Sequence, residues 1–68
     1  MLVKITAIIQ KEEDWYVAKC VENNVASQGK TIEDAISNLT EAVQLYYEDD
    51  DAIIENHQTL ITTLEVAI

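Results

Sequence analysis

The spacing of apolar residues changes along the chain, and this change constrains the fold more than any other feature. Residues 2–10 alternate in polarity. One face carries Val3, Ile5, Ala7 and Ile9, and the other carries Leu2, Lys4, Thr6, Ile8 and Gln10. A period of two predicts a half-buried β-strand. Residues 15–22 are aromatic and β-branched and predict a second strand, and residues 25–28 predict a short third one.

Two polar segments separate these strands. Lys11 to Asp14 has the length of a hairpin loop. Asn23 and Asn24 can supply the positive φ angles of a tight turn, because asparagine tolerates that region better than other residues with a side chain. The first three predicted strands therefore form an antiparallel unit.

After residue 31 the apolar period becomes helical. Thr31 is a good N-cap, and Asp34 stands at the third helical position, as in a capping box. The predicted apolar stripe consists of Ile32, Ala35, Ile36, Leu39, Ala42, Val43 and Tyr46. We expect the helix to end near Asp49, because consecutive carboxylates oppose the dipole at a helix C-terminus.

Residues 59–67 are again rich in β-branched residues and predict a last strand. The predicted order is β-β-β-α-β, an α+β fold in which one helix covers one face of a four-stranded mixed sheet. A right-handed crossover would place the last strand beside the first. Residues 1–68 form a single domain. The uncovered sheet face would carry Leu2, Ile8 and Ile61, which predicts an interface there.

Charge divides the chain into two halves. The sequence has 13 acidic residues and four lysines, no arginine, and a net charge of −9. Residues 1–30 are neutral overall, so residues 31–68 carry the whole excess. Such a surface repels nucleic acid and anionic lipid and attracts a basic protein.

The remaining composition indicates a soluble cytoplasmic protein. Cys20 is the only cysteine, so no internal disulfide can form. The apolar run near the N-terminus is interrupted by Lys4 and Thr6 and lacks a small-residue cleavage site, so it is not typical of a signal peptide. No apolar stretch reaches the length of a membrane span.

The helix carries a recognisable pattern, which runs from Gln28 to Glu48. Its members are Gly29, Thr31, Glu33, Asp34, Ala35, Asn38, Glu41, Ala42 and Tyr46. This pattern resembles that of the HicB antitoxin family, and the strand led by Trp15 and Tyr16 is similar to the family's second strand. Asn23-Asn24 stands where the family often has Pro-Gly.

The resemblance implies a partial RNase H-like fold and an antitoxin function. The partner would be a HicA-like toxin, a small basic ribonuclease with a catalytic histidine. Full-length antitoxins of this family usually add a C-terminal DNA-binding segment. We therefore expect residues 1–68 to be the toxin-binding module, with no direct contact to nucleic acid.

The sequence gives little support for a nuclease site, a metal site or a reactive cysteine. An RNase H-like nuclease needs a carboxylate in the middle of strand one to hold two metal ions, and residues 2–10 contain none. A calcium site at Glu48 to Asp51 would lack a loop glycine. His57 has no second ligand nearby in sequence, and Cys20 is predicted to be buried. We expect no catalytic residue, metal or cofactor.

The predicted partner-binding residues combine aromatic and apolar anchors with carboxylates. They are Trp15, Tyr16, Leu45, Tyr47, Glu48, Asp49, Asp50 and Asp51. Tyr46 is predicted to lie in the core. The leading hypothesis is that the chain covers a basic ribonuclease and itself forms a homodimer or higher homo-oligomer. The alternatives are a stand-alone homo-oligomeric protein-binding module and a residual nuclease.

Overall fold

A computed structural model describes residues 3–48 and 58–68. Three antiparallel strands form one sheet in the order β1-β2-β3. The elements are β1 (Ala7–Glu12), β2 (Trp15–Cys20), β3 (Ala26–Gly29) and helix α1 (Ile32–Tyr47). The α+β class and the single helix agree with the sequence analysis. The bounds differ most for β1, which begins and ends later than predicted.

The predicted four-stranded mixed sheet is not confirmed. Residues 58–68 contain no strand, and the described part of the chain shows three strands instead of four. The β-β-β-α part of the predicted order is present.

Each of the two strand connections contains one residue with a positive φ angle. Only Glu13 and Asp14 separate β1 from β2, and Glu13 has a φ of 55°. The predicted loop of four residues was therefore too long. In the second connection, Asn24 has a φ of 61°, as the sequence predicts, whereas Asn23 does not adopt a positive φ. The side chain of Asn23 accepts a hydrogen bond of 3.0 Å from the backbone N–H of Val25, which closes the turn.

One helix ridge forms the core with β2. Ala35, Leu39 and Val43 are the buried residues of α1, and they pack with Ala18 and Cys20 of β2. Residues four apart lie on one ridge of a helix. The stripe is narrower than predicted, because Ile32 and Ile36 are exposed. Cys20 is fully buried, as expected from the sequence.

Helix α1 lies mainly over β3 and β2 and makes few contacts with β1. Ile5 and Ile9 face the helix side and pack against the core, but they are only half-buried. The sheet surface beside β1 is therefore only partly covered by the chain's own helix.

Gly29 allows α1 to begin directly against β3. A Cβ at this position would lie 2.6 Å from the backbone N of Ala35 and 2.7 Å from Cβ of Asp34. These distances are shorter than any relaxed contact. Gly29 is thus required for close approach and does not adopt a positive φ.

Three hydrogen bonds fix the same junction. The hydroxyl of Thr31 accepts a bond of 3.0 Å from the N–H of Asp34, so Thr31 is the N-cap that the sequence predicts. The backbone N–H of Ala35 donates to the carbonyl of Thr31 at 3.0 Å. The amide of Asn38 donates to the carbonyl of Gln28 in β3 at 2.8 Å. The motif residues therefore act as a joint between strand and helix.

We expect Gly29→Ala to lower the free energy of unfolding by about 1–3 kcal/mol, because the added methyl group must push the first turn of α1 away from β3. Urea denaturation followed by circular dichroism measures this change. Gln28→Ala is the matched control in the same strand, since Gln28 is exposed, and should change stability by less than about 0.5 kcal/mol. A Gly29→Ala protein as stable as this control would contradict the packing account.

Candidate functional site

The exposed side of α1 is an acidic surface with one apolar residue. Every charged residue from Ile32 to Glu48 is acidic, and all of them are exposed. Successive spacings of three and four residues place five side chains on one stripe, which we call the acidic stripe: Asp34, Asn38, Glu41, Leu45 and Glu48. Leu45 is 67% exposed, although leucine is usually buried.

The lysines lie away from this stripe. Lys4, Lys11, Lys19 and Lys30 are all exposed, and all precede α1 in the chain. The register pairs Lys19 with Ile8, which places both on the face opposite the helix. The described part of the molecule is thus acidic on its helix side and carries its cations on the sheet half.

At the C-terminal end of α1, no basic residue of the helix offsets the negative charge of the acidic stripe. Glu48 is the C-cap residue of α1, and its N–H donates to the carbonyls of Gln44 at 3.1 Å and Leu45 at 3.3 Å. The last turn contains no basic residue. Since the helix dipole is negative at this end, the carboxylate of Glu48 adds to a potential that attracts cations.

Trp15 and Tyr16 lie at the other end of the sheet. Trp15 is 42% exposed on the open face, where the ammonium group of Lys30 stands 5.5 Å from its ring centroid. Tyr16 is half-buried on the helix side and pairs with Gly29. Both residues are therefore near the beginning of α1.

The predicted partner-binding residues do not form one patch. The side chain of Asn23, after the far end of β2, donates to the hydroxyl of Tyr47 at 3.3 Å, which places the end of α1 near the β2–β3 turn. β2 separates that turn from Trp15 by six residues, or roughly 20 Å. Leu45 and Glu48 thus lie near one end of β2 and Trp15 at the other. Asp49, Asp50, Asp51 and His57 lie outside the described residues.

Two neighbouring tyrosines exchange the roles that the sequence predicts for them. Tyr46, expected in the core, is 39% exposed, whereas Tyr47 is half-buried and packs against the core cluster. Tyr47 follows Ala35, Leu39 and Val43 on the same ridge, which explains its burial. The two rings make a T-shaped contact with centroids 5.0 Å apart. Tyr46 and Leu45 are consequently the exposed apolar groups at this end of α1.

Sequence reasoning missed Glu22, whose carboxylate joins three parts of the chain. One oxygen accepts from the backbone N–H of Thr6 at 2.7 Å and from the thiol of Cys20 at 3.5 Å. The other oxygen accepts from the hydroxyl of Thr59 at 3.3 Å. Desolvation raises the pKa of Glu22, but the hydrogen bonds from Thr6, its own backbone and Cys20 outweigh this effect and lower the pKa from 4.5 to about 2.

Within residues 3–48 and 58–68, no group of three or more His, Cys, Asp or Glu side chains is placed to hold a metal ion. The same part of the chain has no helix that is both long and apolar enough to cross a membrane. β1 does contain one carboxylate, Glu12, but it is exposed at the hairpin end of the strand. The middle of β1 carries none.

Comparison with known proteins places the chain in a family. Residues 4–66 match the model of a family of unknown function, DUF7387, which is nearly the whole chain. The chain belongs to the DUF7387 family. No solved structure matches it.

Two curated relatives are similar to this DUF7387 protein over most of its length. A UPF0150 protein of Helicobacter pylori strain J99 is 34% identical over 68 residues, covering 93% of this chain and 94% of the relative. A UPF0150 protein of Synechocystis is 44% identical over 55 residues, covering 78% of this chain and 66% of the relative. Neither name states an activity.

The pKa of Glu22 predicts how the stability of this DUF7387 protein responds to acid. The pKa is lower in the folded state than in the unfolded state, so the carboxylate stabilises the fold fully above pH 4.5. This stabilisation is lost as the pH falls from 4.5 to about 2. We expect Glu22→Gln to be less stable than wild type near neutral pH, with the difference shrinking towards pH 2. Urea denaturation at a series of pH values measures it.

Glu41→Gln is the control for this experiment, because it removes a carboxylate from the exposed side of α1. It should keep the wild-type dependence of stability on pH. If Glu22→Gln also kept that dependence, the hydrogen-bonded carboxylate would not be the group responsible.

Proposed function

We propose that this chain is a HicB-like antitoxin module that binds a small basic ribonuclease and blocks it. The observation that carries the proposal is the acidic stripe on α1. It presents three carboxylates and a solvent-exposed leucine on a helix without any cation. The resemblance of residues 28–48 to the HicB pattern supports the same function.

The charges suit this role because they act before contact is made. Carboxylates on one face create a potential that guides a basic partner into the correct orientation and raises the rate of association. Carboxylates of the stripe would face the cations with which the partner binds RNA. A ribonuclease held in this way cannot reach its substrate.

Leu45 and Tyr46 would slow dissociation of the complex. Charged contacts at the edge of an interface mainly affect association, whereas buried apolar anchors slow dissociation. Leu45 lies between Glu41 and Glu48 on the acidic stripe, so an apolar anchor is surrounded by carboxylates. Trp15, at the opposite end of the sheet, would belong to a separate contact.

A stand-alone homo-oligomeric module is the second candidate function. The exposed apolar residues of 60–68 favour it, since they offer a surface for another copy of the chain. Homo-oligomerisation is compatible with toxin binding, because the acidic stripe lies on a different element. A residual nuclease has no comparable support among the described residues.

The test uses the full chain as bait in a native extract. We expect it to capture a small basic protein that cleaves RNA when purified alone and loses this activity when the bait is added. Capture of no basic protein, or of one whose ribonuclease activity the chain leaves unchanged, would overturn the proposal.

Charge reversal then locates the interface. Glu41→Lys with Glu48→Lys should slow association with the captured protein by on the order of tenfold or more at low salt, as measured by surface plasmon resonance. Glu12→Lys with Glu13→Lys changes the net charge equally, but at the β1–β2 hairpin. This control should retain most of the association rate, and an equal loss in both variants would mean that total charge, not the acidic stripe, steers the partner.

Leu45→Ala should accelerate dissociation of the same complex, because it removes the apolar anchor of the stripe. Ile36→Ala truncates another exposed apolar residue of α1, which lies off the acidic stripe, and should have a smaller effect. A dissociation rate of Leu45→Ala equal to that of wild type would exclude Leu45 from the interface.

A further inference from the structure

Residues 58–68 have the composition of a strand but are exposed on both sides. Leu60 is 83%, Leu64 76% and Val66 73% exposed, and Ile61 and Ile68 are exposed as well. Four of the six even-numbered positions are apolar, namely Leu60, Leu64, Val66 and Ile68, whereas the odd side carries Thr59, Thr63 and Glu65 besides Ile61 and Ala67. This alternation is typical of a strand with one buried face. A single copy of the chain leaves that face in water.

The segment begins beside β1. Thr59 is half-buried, and its hydroxyl donates to the Glu22 carboxylate that also accepts from the backbone of Thr6, the residue before β1. No backbone hydrogen bond between the described residues joins 60–68 to the sheet. Residues 60–68 therefore add no strand to the sheet of their own chain, although Thr59 contacts it through Glu22.

β1 offers an edge on which such a strand can pair. β1 is an outer strand of the sheet, so one row of its backbone N–H and C=O groups has no partner strand among the described residues. Ile5 and Ile9 on the helix side are only half-buried, because α1 covers mainly β2 and β3. A strand added here would continue the apolar layer that Ile5 and Ile9 begin.

The exposed apolar side chains of the segment lie close together in sequence. Leu60, Leu64, Val66 and Ile68 share one parity and are each largely exposed. A contiguous exposed apolar surface of this kind is typical of an interface. A second copy of the chain offers the same free β1 edge and the same segment, so two copies can cover each other's apolar surface.

From these observations, we propose that residues 58–68 of one copy form the fourth strand of a second copy by pairing with the free edge of its β1, and that the exchange is reciprocal. In a dimer with twofold symmetry, the free β1 edge of each copy would be hydrogen-bonded to the segment of the other. The predicted four-stranded sheet would thus form between chains. The proposal concerns the sheet edge and holds whether or not the acidic stripe binds a toxin.

Oligomeric state and intermolecular contacts test the proposal on the full chain. Light scattering should give twice the monomer mass. In a sample mixed from differently isotope-labelled copies, NMR should show nuclear Overhauser effects between the Leu64 or Val66 methyl groups of one copy and Ile9 of the other. A monomer, a dimer in which these effects are only intramolecular, or a dimer in which the segments contact each other instead of β1 would each overturn it.

A pair of double variants tests which side of the segment is buried. Leu64→Asp with Val66→Asp should abolish the dimer at a concentration where wild type is fully dimeric. Thr63→Asp with Ala67→Asp adds the same charge to the other side and should leave the dimer largely intact. If both variants dimerised equally well, or equally poorly, the proposal would be contradicted. If either variant fails to fold, the NMR experiment on the wild-type chain decides the question. Capture of a basic protein is a separate measurement, so failure of one proposal does not imply failure of the other.

Discussion

Only two residues separate β3 from α1, and the chain can turn this sharply because Gly29 has no side chain. The backbone of Ala35 would collide with any Cβ at that position. Thr31 and Asn38 then hold the helix in place through their hydrogen bonds to Asp34 and Gln28. The direction of α1 over β3 and β2 follows from this connection. The same connection determines which way the exposed side chains of α1 face, including those of the acidic stripe.

The described lysines all lie outside α1, whereas every charged residue of the helix and its C-cap is a carboxylate. The carboxylates of the acidic stripe are seven residues apart, about two helical turns, so they are not the i,i+3 or i,i+4 neighbours that repel most strongly. Their fields add on the exposed side of α1, where the helix carries no cation to offset them.

Local features of the sequence predicted the fold well where a few neighbouring residues determine the outcome. The alternation in residues 2–10 correctly placed Ile5 and Ile9 on the core side, Thr31 is the N-cap, and Asn24 adopts positive φ. Long-range contacts decided the rest. Glu22 meets Thr6 and Thr59, which are 16 and 37 residues away, and no local pattern shows this.

The helix shows why a pattern alone can misplace residues. A helical wheel assumes that a wide stripe is covered, but the sheet under α1 covers one ridge, which contains Leu39, Val43 and Tyr47. Tyr46 and Ile36 fall beside it and remain exposed. The last predicted strand is not confirmed for another reason, since pairing with a sheet edge is a long-range contact that composition does not specify. The predicted binding residues are separated because Trp15 and Tyr16 begin β2, whereas Leu45, Tyr47 and Glu48 lie at the end of α1 near the turn that follows β2.

The uneven coverage of the sheet by α1 also has a consequence for how the domain opens. β2 and α1 supply the buried residues of the core, and β3 is tied to α1 at Gly29 and Gln28. β1 meets the helix little and joins mainly through β2. The unit from Trp15 to Tyr47 should therefore hold the slowest-exchanging backbone amides. β1 should detach first when the domain opens, taking with it the Thr6 contact to Glu22.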